Sequence, residues 1–143
     1  MSNLLREMVH QDIDSWTEDK LERLKGVDLM VLCSLIGIPF TGNKRRLIER
    51  ITTLAPLQFR LRRYDRNWQQ NIDDNSIRRL AESMSANELK ELCRTAGIYA
   101  SSTKYGRAAG LLKWRRGCLR SGTAYLKSVT ESKYSKKKQL WLF

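Results

Sequence analysis

The stretch Leu29-x-x-Leu32-Cys33-x-x-Ile36-Gly37-Ile38 recurs sixty residues later as Leu89-x-x-Leu92-Cys93-x-x-Ala96-Gly97-Ile98. Leucines three residues apart, followed by a small or apolar residue four positions further on, form one face of a helix. A glycine directly after that face is a helix stop, because glycine enters the left-handed C′ conformation at little steric cost. Each copy therefore predicts a short helix that ends in a sharp reversal of the chain.

Capping signals and apolar spacing predict further helices in the first half of the chain. Ser15-Trp16-Thr17-Glu18 has capping-box spacing and predicts a helix over about 16–25. Asp28 is the expected N-cap of the first repeat helix. Thr41-Gly42-Asn43 is expected to open the next helix, and Pro56 to end it, because proline removes a backbone donor inside a helix.

The second half of the chain predicts the same kind of structure. The apolar and aromatic residues between Leu57 and Trp68 fall on one stripe of a further helix. Asp73-Asp74-Asn75-Ser76 is a turn and cap cluster, and Ser85-Ala86-Asn87-Glu88 is a second capping box. A last helix is expected over about 104–120, ended by Ser121-Gly122.

We therefore expect an all-α protein in which two helix–loop–helix units pack with connecting helices. The expected parts are an N-terminal helix plus the first unit (1–56), basic connecting helices (57–83), the second unit (84–120) and a basic C-terminal segment (121–143). The terminal Leu140-Trp141-Leu142-Phe143 is too apolar for a free tail. Docking on the body is the interpretation we favour, and binding to a partner is the alternative.

The net charge of +12 is concentrated in the second half of the chain. Residues 1–56 hold eight basic and eight acidic residues, whereas residues 104–143 hold eleven basic and one acidic. Such a concentration of positive charge implies a polyanionic partner, most often nucleic acid and less often an anionic membrane surface, and does not separate DNA from RNA. No apolar run is long enough for a transmembrane span, so no membrane partner is expected.

The cysteine and histidine content predicts neither a metal site nor a cofactor. Three cysteines and one histidine lack any usual zinc-ligand spacing. Cys33 and Cys93 stand beside helix-face leucines and are expected to be buried, reduced thiols of a cytoplasmic protein, nucleoid-associated in a bacterium or nuclear in a eukaryote. No paired carboxylates, nucleophile elbow or enzyme-type phosphate loop is present, so we expect no catalytic residues and no enzyme.

The first repeat belongs to a longer set of motifs between residues 25 and 51. These are Lys25-Gly26-Val27-Asp28-Leu29, Leu32-Cys33, Gly37-Ile38-Pro39, Thr41-Gly42-Asn43-Lys44-Arg45 and Leu47-Ile48-Glu49-Arg50-Ile51. Together they resemble the SAP domain, a helix–extended-loop–helix module that binds duplex DNA, usually with weak sequence preference. The resemblance implies that fold and that function here. Asn43 stands where the family usually has its first lysine, which leaves Lys44, Arg45 and Arg46 as the basic set.

A weaker copy of the pattern spans about 84–114, and its loop lacks the proline. A constant offset of sixty residues pairs Lys104 with Lys44 but sets Arg107 opposite a core leucine. An insertion of four residues instead sets Leu111 opposite that leucine. We favour the insertion, because core positions constrain an alignment more than exposed positions do.

The start of each second helix is the expected contact with phosphate. A helix N-terminus carries unpaired N–H groups and a partial positive charge, and small residues there let a phosphate approach the backbone. Contacts of this kind give affinity and orientation rather than sequence reading, while an exposed tyrosine can stack on bases. The predicted nucleic-acid-binding residues are Thr41, Gly42, Asn43, Lys44, Arg45, Arg46, Arg60, Arg62, Arg63, Arg66, Ser101, Ser102, Thr103, Lys104, Tyr105, Arg107, Lys113, Arg116 and Arg120.

Two other functions fit the same residues. Helix–turn–helix pairs with a basic second helix also occur as protein-interaction modules, and LEM-like and Rho-N-terminal-like folds share this outline. The near-neutral first half of the chain fits a protein-binding adaptor, of the kind that phages and mobile elements also encode. The third hypothesis is an RNA-binding or ribosome-associated protein, because positive charge attracts any nucleic acid.

Overall fold

A computed structural model describes residues 2–129 of the protein. Over this range the chain forms seven α-helices and no strand, so the protein is all-α, as the sequence predicts. The expected docking of Leu140-Trp141-Leu142-Phe143 lies outside the described residues. The helices are α1 (Asn3–Val9), α2 (Glu18–Arg23), α3 (Gly26–Ile36), α4 (Lys44–Arg62), α5 (Asp74–Glu82), α6 (Ala86–Ala96) and α7 (Lys104–Val129).

The chain divides into two compact units. One unit consists of the described residues up to Pro56 together with those from Cys118 onward, and the other is Leu57–Gly117. The divisions fall inside α4 and α7. The first unit contains the pair formed by α3 and the start of α4, and the second contains the pair formed by α6 and the start of α7.

The core of the first unit is built from the apolar faces of its helices. Leu29 and Leu32 of α3, Leu47 and Ile51 of α4, and Leu5 of α1 are each at most 2% exposed. Removing each of these side chains from water stabilises the fold by roughly 1.5–3 kcal/mol before the entropy cost of ordering the chain is counted. Helices this short depend on such packing, because they are marginal in isolation.

A glycine allows α7 to approach α3 closely. A Cβ atom at Gly122 would lie 2.4 Å from the carbonyl oxygen of Ser34, so no larger residue fits there without movement of the backbone. One turn further on, the rings of Tyr125 and Phe40 pack with centroids 4.6 Å apart. The predicted helix end at Ser121-Gly122 is therefore wrong, because this glycine serves helix packing and not helix termination.

The helix α4 passes through Pro56, so the predicted break at that residue is wrong. Proline in a helix interior removes one backbone hydrogen bond and costs about 3 kcal/mol. Leu54 and Leu57 on either side of it are buried, and their packing outweighs the lost bond. The helix ends at Arg62, so the helical stripe predicted to reach Trp68 is also wrong beyond that point.

The observed N-caps differ from the predicted ones at two of four helices. Asp73 and Ser85 cap α5 and α6 through their side-chain oxygens, as predicted. Thr17, rather than Ser15, caps α2. Asp28 does not cap α3, because that helix already begins at Gly26 and the carboxylate lies buried in its first turn.

The two helix–loop–helix pairs keep a constant offset of sixty residues, so the predicted insertion is wrong. Residues 26–36 and 86–96 form the first helices, and the second helices begin at Lys44 and Lys104. Each first helix ends in a left-handed glycine, Gly37 at φ 88° and Gly97 at φ 72°. The equal spacing makes both loops the same length.

The core of the second pair is adapted to this constant offset. Ala108 and Leu111 take the positions of Ile48 and Ile51, and all four side chains are buried. The position of the core leucine Leu47 is held by an arginine whose guanidinium is bound within the unit, as described below. If the two copies are aligned by their leucines alone, the register is therefore wrong, because the second copy has Arg107 where the first has Leu47.

We expect Gly122→Ala to lower the free energy of unfolding by about 1–3 kcal/mol, the usual cost of overpacking, because the added methyl group meets the Ser34 carbonyl. Gly117→Ala is the matched control on the same helix. Nothing lies within 4 Å of its added Cβ, so better helix propensity predicts a gain of up to about 1 kcal/mol. Urea unfolding of both variants measures the difference, and equal stability of the two would contradict the close packing.

Candidate nucleic-acid interface

The first helix opening is the end of the loop after α3 together with the first turn of α4. It consists of Thr41, Gly42, Asn43, Lys44, Arg45 and Arg46. Asn43 is the N-cap, since its Oδ1 accepts a hydrogen bond from the backbone N–H of Arg46 at 2.9 Å. Gly42 lies exposed at φ 125°, a conformation that favours glycine. This opening presents a capped helix start and a stretch of bare backbone to solvent.

The cations of the first opening are not equally available. Lys44 is half-buried, and its Nζ donates to the carbonyl oxygen of Glu22. Arg45 pairs with Glu49 at 3.6 Å, but both side chains are largely exposed, so water weakens this pair to at most about 1 kcal/mol. Arg46 is exposed and has no carboxylate partner among residues 2–129. We therefore infer that Arg45 and Arg46 are the cations this opening can offer to a ligand.

The second helix opening lies at the start of α7. It consists of Ser101, Ser102, Thr103, Lys104, Tyr105 and Arg107. Thr103 is the N-cap, because its Oγ1 accepts a hydrogen bond from the backbone N–H of Gly106 at 2.9 Å. Lys104 is exposed, and no acidic side chain pairs with it in the described part of the chain. The Tyr105 hydroxyl donates to Asp74, and this hydrogen bond raises the pKa of the phenol.

Both openings are held by an arginine from the helix that follows. In the first, the Arg50 guanidinium donates to the carbonyl oxygen of Thr41. In the second, Arg107 Nε donates to the carbonyl oxygen of Ser101 at 2.6 Å, and its Nη1 donates to Ala86 at 2.7 Å. Thr41 and Ser101 occupy the same position of the repeat. Arg107 therefore positions the second loop through its Nε and Nη1 donors.

A buried ionic cluster lies at the centre of the second unit. We define the Asp65 cluster as Gln58, Asp65, Arg115 and Arg116, each at most 5% exposed. Arg116 Nη2 and Nε donate to the Asp65 carboxylate at 2.6 and 3.0 Å. Arg115 Nη1 donates to Gln58 Oε1 at 2.7 Å, and its Nη2 donates to the Asp65 carbonyl at 3.0 Å. Burial lowers the pKa of Arg115, and the nearby carboxylate opposes that shift.

This cluster corrects the predicted site at Arg116 and shows what Asp65 binds. Arg116 is 3% exposed, so the prediction that it forms part of an exposed cationic face is wrong. Asp65 is not available to balance the arginines around it, because both of its carboxylate oxygens bind Arg116. A carboxylate shared by two buried arginines leaves the cluster with one positive charge in excess.

The remaining predicted cations are exposed. Arg60 lies 3.9 Å from Glu88, and both side chains are about half exposed. The other exposed members of the predicted set are Arg62, Arg63, Arg66, Lys113 and Arg120. Arg120 belongs to the first unit, whereas the others belong to the second. The two openings and these cations are thus distributed over both units.

Sequence reasoning did not select two exposed residues that the structure brings to attention. Tyr99 is 87% exposed and lies in the loop before the second opening, where the first repeat has Pro39. A tyrosine in a short polar loop is itself a signal, because a loop of this length has little core in which to bury it. Arg79 lies over the ring of Tyr64, with its Cζ 5.7 Å from the centroid, and no sequence spacing predicts that contact.

Compared with protein-family models, curated proteins and solved structures, the chain gives no match. The SAP-domain resemblance therefore stays a prediction. Within residues 2–129, no helix combines the length and the apolar character that crossing a membrane requires. The same part of the chain contains no cluster of three or more acidic, cysteine or histidine side chains that could hold a metal ion.

We expect Asp65→Asn to lower the free energy of unfolding by about 3–5 kcal/mol, because it leaves two buried arginines without a countercharge. Glu91→Gln is the control, since its pair with Arg94 at 3.2 Å is about two-thirds exposed and contributes at most about 1 kcal/mol. Chemical unfolding monitored by circular dichroism measures both. A loss in Asp65→Asn as small as that in Glu91→Gln would show that the cluster does not hold the unit together.

Proposed function

We propose that the protein binds nucleic acid without catalysis and holds duplex DNA mainly through its backbone phosphates, with weak sequence preference. The proposal depends on the starts of two helices, at Lys44 and Lys104. Both starts are exposed to solvent and capped by a side chain, and they occupy the same position in the two copies of the repeat. Membership of the SAP-domain family and a cytoplasmic, nucleoid or nuclear location belong to the same proposal.

The geometry of a helix start favours a phosphate ligand. The first N–H groups of a helix have no partner inside the helix, and the macrodipole places a partial positive charge there. At the first opening, Thr41, Gly42 and Asn43 are all exposed, and Arg45 and Arg46 follow within one turn. Backbone donors and full charges thus lie within one turn of each other, where they can act on the same phosphate, and phosphate contacts carry no base identity.

The second opening offers the same chemistry with fewer charges. Ser102, Thr103 and Lys104 are exposed at the start of α7, and Tyr99 supplies an exposed aromatic ring in the same loop. Arg107 already donates from Nε and Nη1 to the backbone carbonyls of Ser101 and Ala86, so its main role is to position the loop. We therefore infer that the first opening supplies most of the electrostatic affinity, and that Tyr99 adds a stacking surface for a base.

We expect the double variant Arg45→Gln, Arg46→Gln to weaken binding to duplexes of all sequences alike. The logarithm of the affinity falls linearly with the logarithm of the salt concentration, and each lost phosphate contact makes this fall shallower by about 0.9. The slope of the double variant should therefore be shallower by about two. Fluorescence anisotropy over a range of salt concentrations measures both affinity and slope. Lys44 is left unchanged, because its ammonium group binds the Glu22 carbonyl within the fold.

The matched control is the double variant Lys90→Gln, Arg94→Gln, which removes the same charge from the exposed face of α6. Its salt dependence should remain that of the unaltered protein. An equal loss of duplex affinity in both double variants would show that affinity depends only on net charge, and would contradict a specific contact at the first opening. If structured RNA competes better than the duplex, the ligand is RNA and the duplex proposal is wrong.

A further inference from the structure

The second unit contains a polar cleft of about 560 Å³ whose lining includes no residue of either helix opening. Its walls come from the segment after α4 and from α5, and its charged lining residues are Arg63, Asp65, Arg66, Asp73, Arg79 and Arg116. Amide side chains, Ser76 and Tyr64 complete the lining, so it has two hydroxyl groups and a single aromatic ring. The volume lies in the range of small-molecule sites, about 300–1,000 Å³, whereas the polar lining does not suit an apolar ligand.

The charges in this cleft do not cancel. Four arginines and two aspartates line it, which gives an excess of two positive charges. Asp65 is committed to Arg116, and Asp73 uses its Oδ1 to cap α5 through the N–H of Asn75. Within residues 2–129, no carboxylate pairs with Arg63, Arg66 or Arg79, and these three exposed arginines all line the cleft.

Two contacts give the cleft a defined shape. The Asp65 cluster fixes part of the lining, because Arg116 donates both to the Asp65 carboxylate and to the carbonyl oxygen of Gln70. The Arg79 guanidinium lies over the Tyr64 ring, with its Cζ 5.7 Å from the centroid, and this cation–π contact favours that position. Guanidinium groups bind carboxylates and phosphates through paired N–H donors.

We propose that this cleft binds a phosphate monoester of nucleotide size, with Arg63, Arg66 and Arg79 as its ligands. A phosphate monoester carries about −1.5 to −2 charges at neutral pH, which matches the excess in the cleft better than a singly charged phosphodiester does. The monoester can come from a free nucleotide or from the phosphorylated end of a strand. This proposal does not rest on duplex binding by the helix openings, because no residue of either opening lines the cleft.

Calorimetric titration of the full chain with AMP, inorganic phosphate and adenosine tests the proposal. We expect saturable binding of AMP and phosphate, and none of adenosine. Arg66→Gln and Arg79→Gln should each weaken AMP binding by about tenfold or more, since a hydrogen bond to a charged group contributes roughly 1.5–3 kcal/mol. Arg78→Gln is the matched control, because Arg78 neighbours Arg79 on α5, pairs with Asp74 at 3.0 Å and does not line the cleft.

Absence of AMP binding would overturn the proposal, as would equal losses of AMP affinity in Arg78→Gln and Arg79→Gln.

Displacement of AMP by short single strands then separates the two sources of the monoester. Displacement only by a 5′-phosphorylated strand identifies a strand end, and displacement by neither strand identifies a free nucleotide; both outcomes support a monoester site. Equal displacement by phosphorylated and 5′-hydroxyl strands would show a phosphodiester ligand and overturn it. Because AMP is measured without duplex, failure of duplex binding leaves this result unaffected.

Discussion

A left-handed glycine followed by a capped helix start is the constraint on which both helix–loop–helix pairs depend. Gly37 and Gly97 end the first helices at positive φ, and in each copy the N–H of the next residue returns to the cysteine carbonyl five residues back, at 3.0 Å. Asn43 and Thr103 then fix where the second helices begin. With both ends fixed, the loop length is determined, and the helix start is left exposed at the surface of each unit.

The two copies are specialised differently within this shared frame. The first keeps an apolar face on α4 and places exposed arginines directly after its cap. The second gives up a core leucine for Arg107 and uses Arg115 and Arg116 to bind Asp65 in the interior. Buried ion pairs of this kind contribute little net stability, but breaking one is costly, so the cluster restricts how α7 and the segment after α4 can pack. The cleft that we assign to a phosphate monoester lies on that segment.

Local signals in the sequence predict the fold class and the glycine stops correctly, because both depend on short-range backbone chemistry. The predictions fail where tertiary packing, rather than the local sequence, determines the structure. Pro56 lies inside a helix because buried leucines flank it, and Gly122 continues a helix because the Ser34 carbonyl lies against it. Arg116 resembles any exposed cation in the sequence, since its partner Asp65 is fifty-one residues away. The helix openings could be located in advance, whereas the cations that remain free could not.

The most direct measurement of the central claim is an NMR titration of the ¹⁵N-labelled protein with a short duplex of random sequence. Our account predicts that the perturbed amides cluster at residues 41–46 and 101–105, where the two capped helix starts meet solvent. Perturbations confined to residues after Val129 would show that only the basic end of the chain binds, and would contradict the assignment of the helix openings as the phosphate-binding surface.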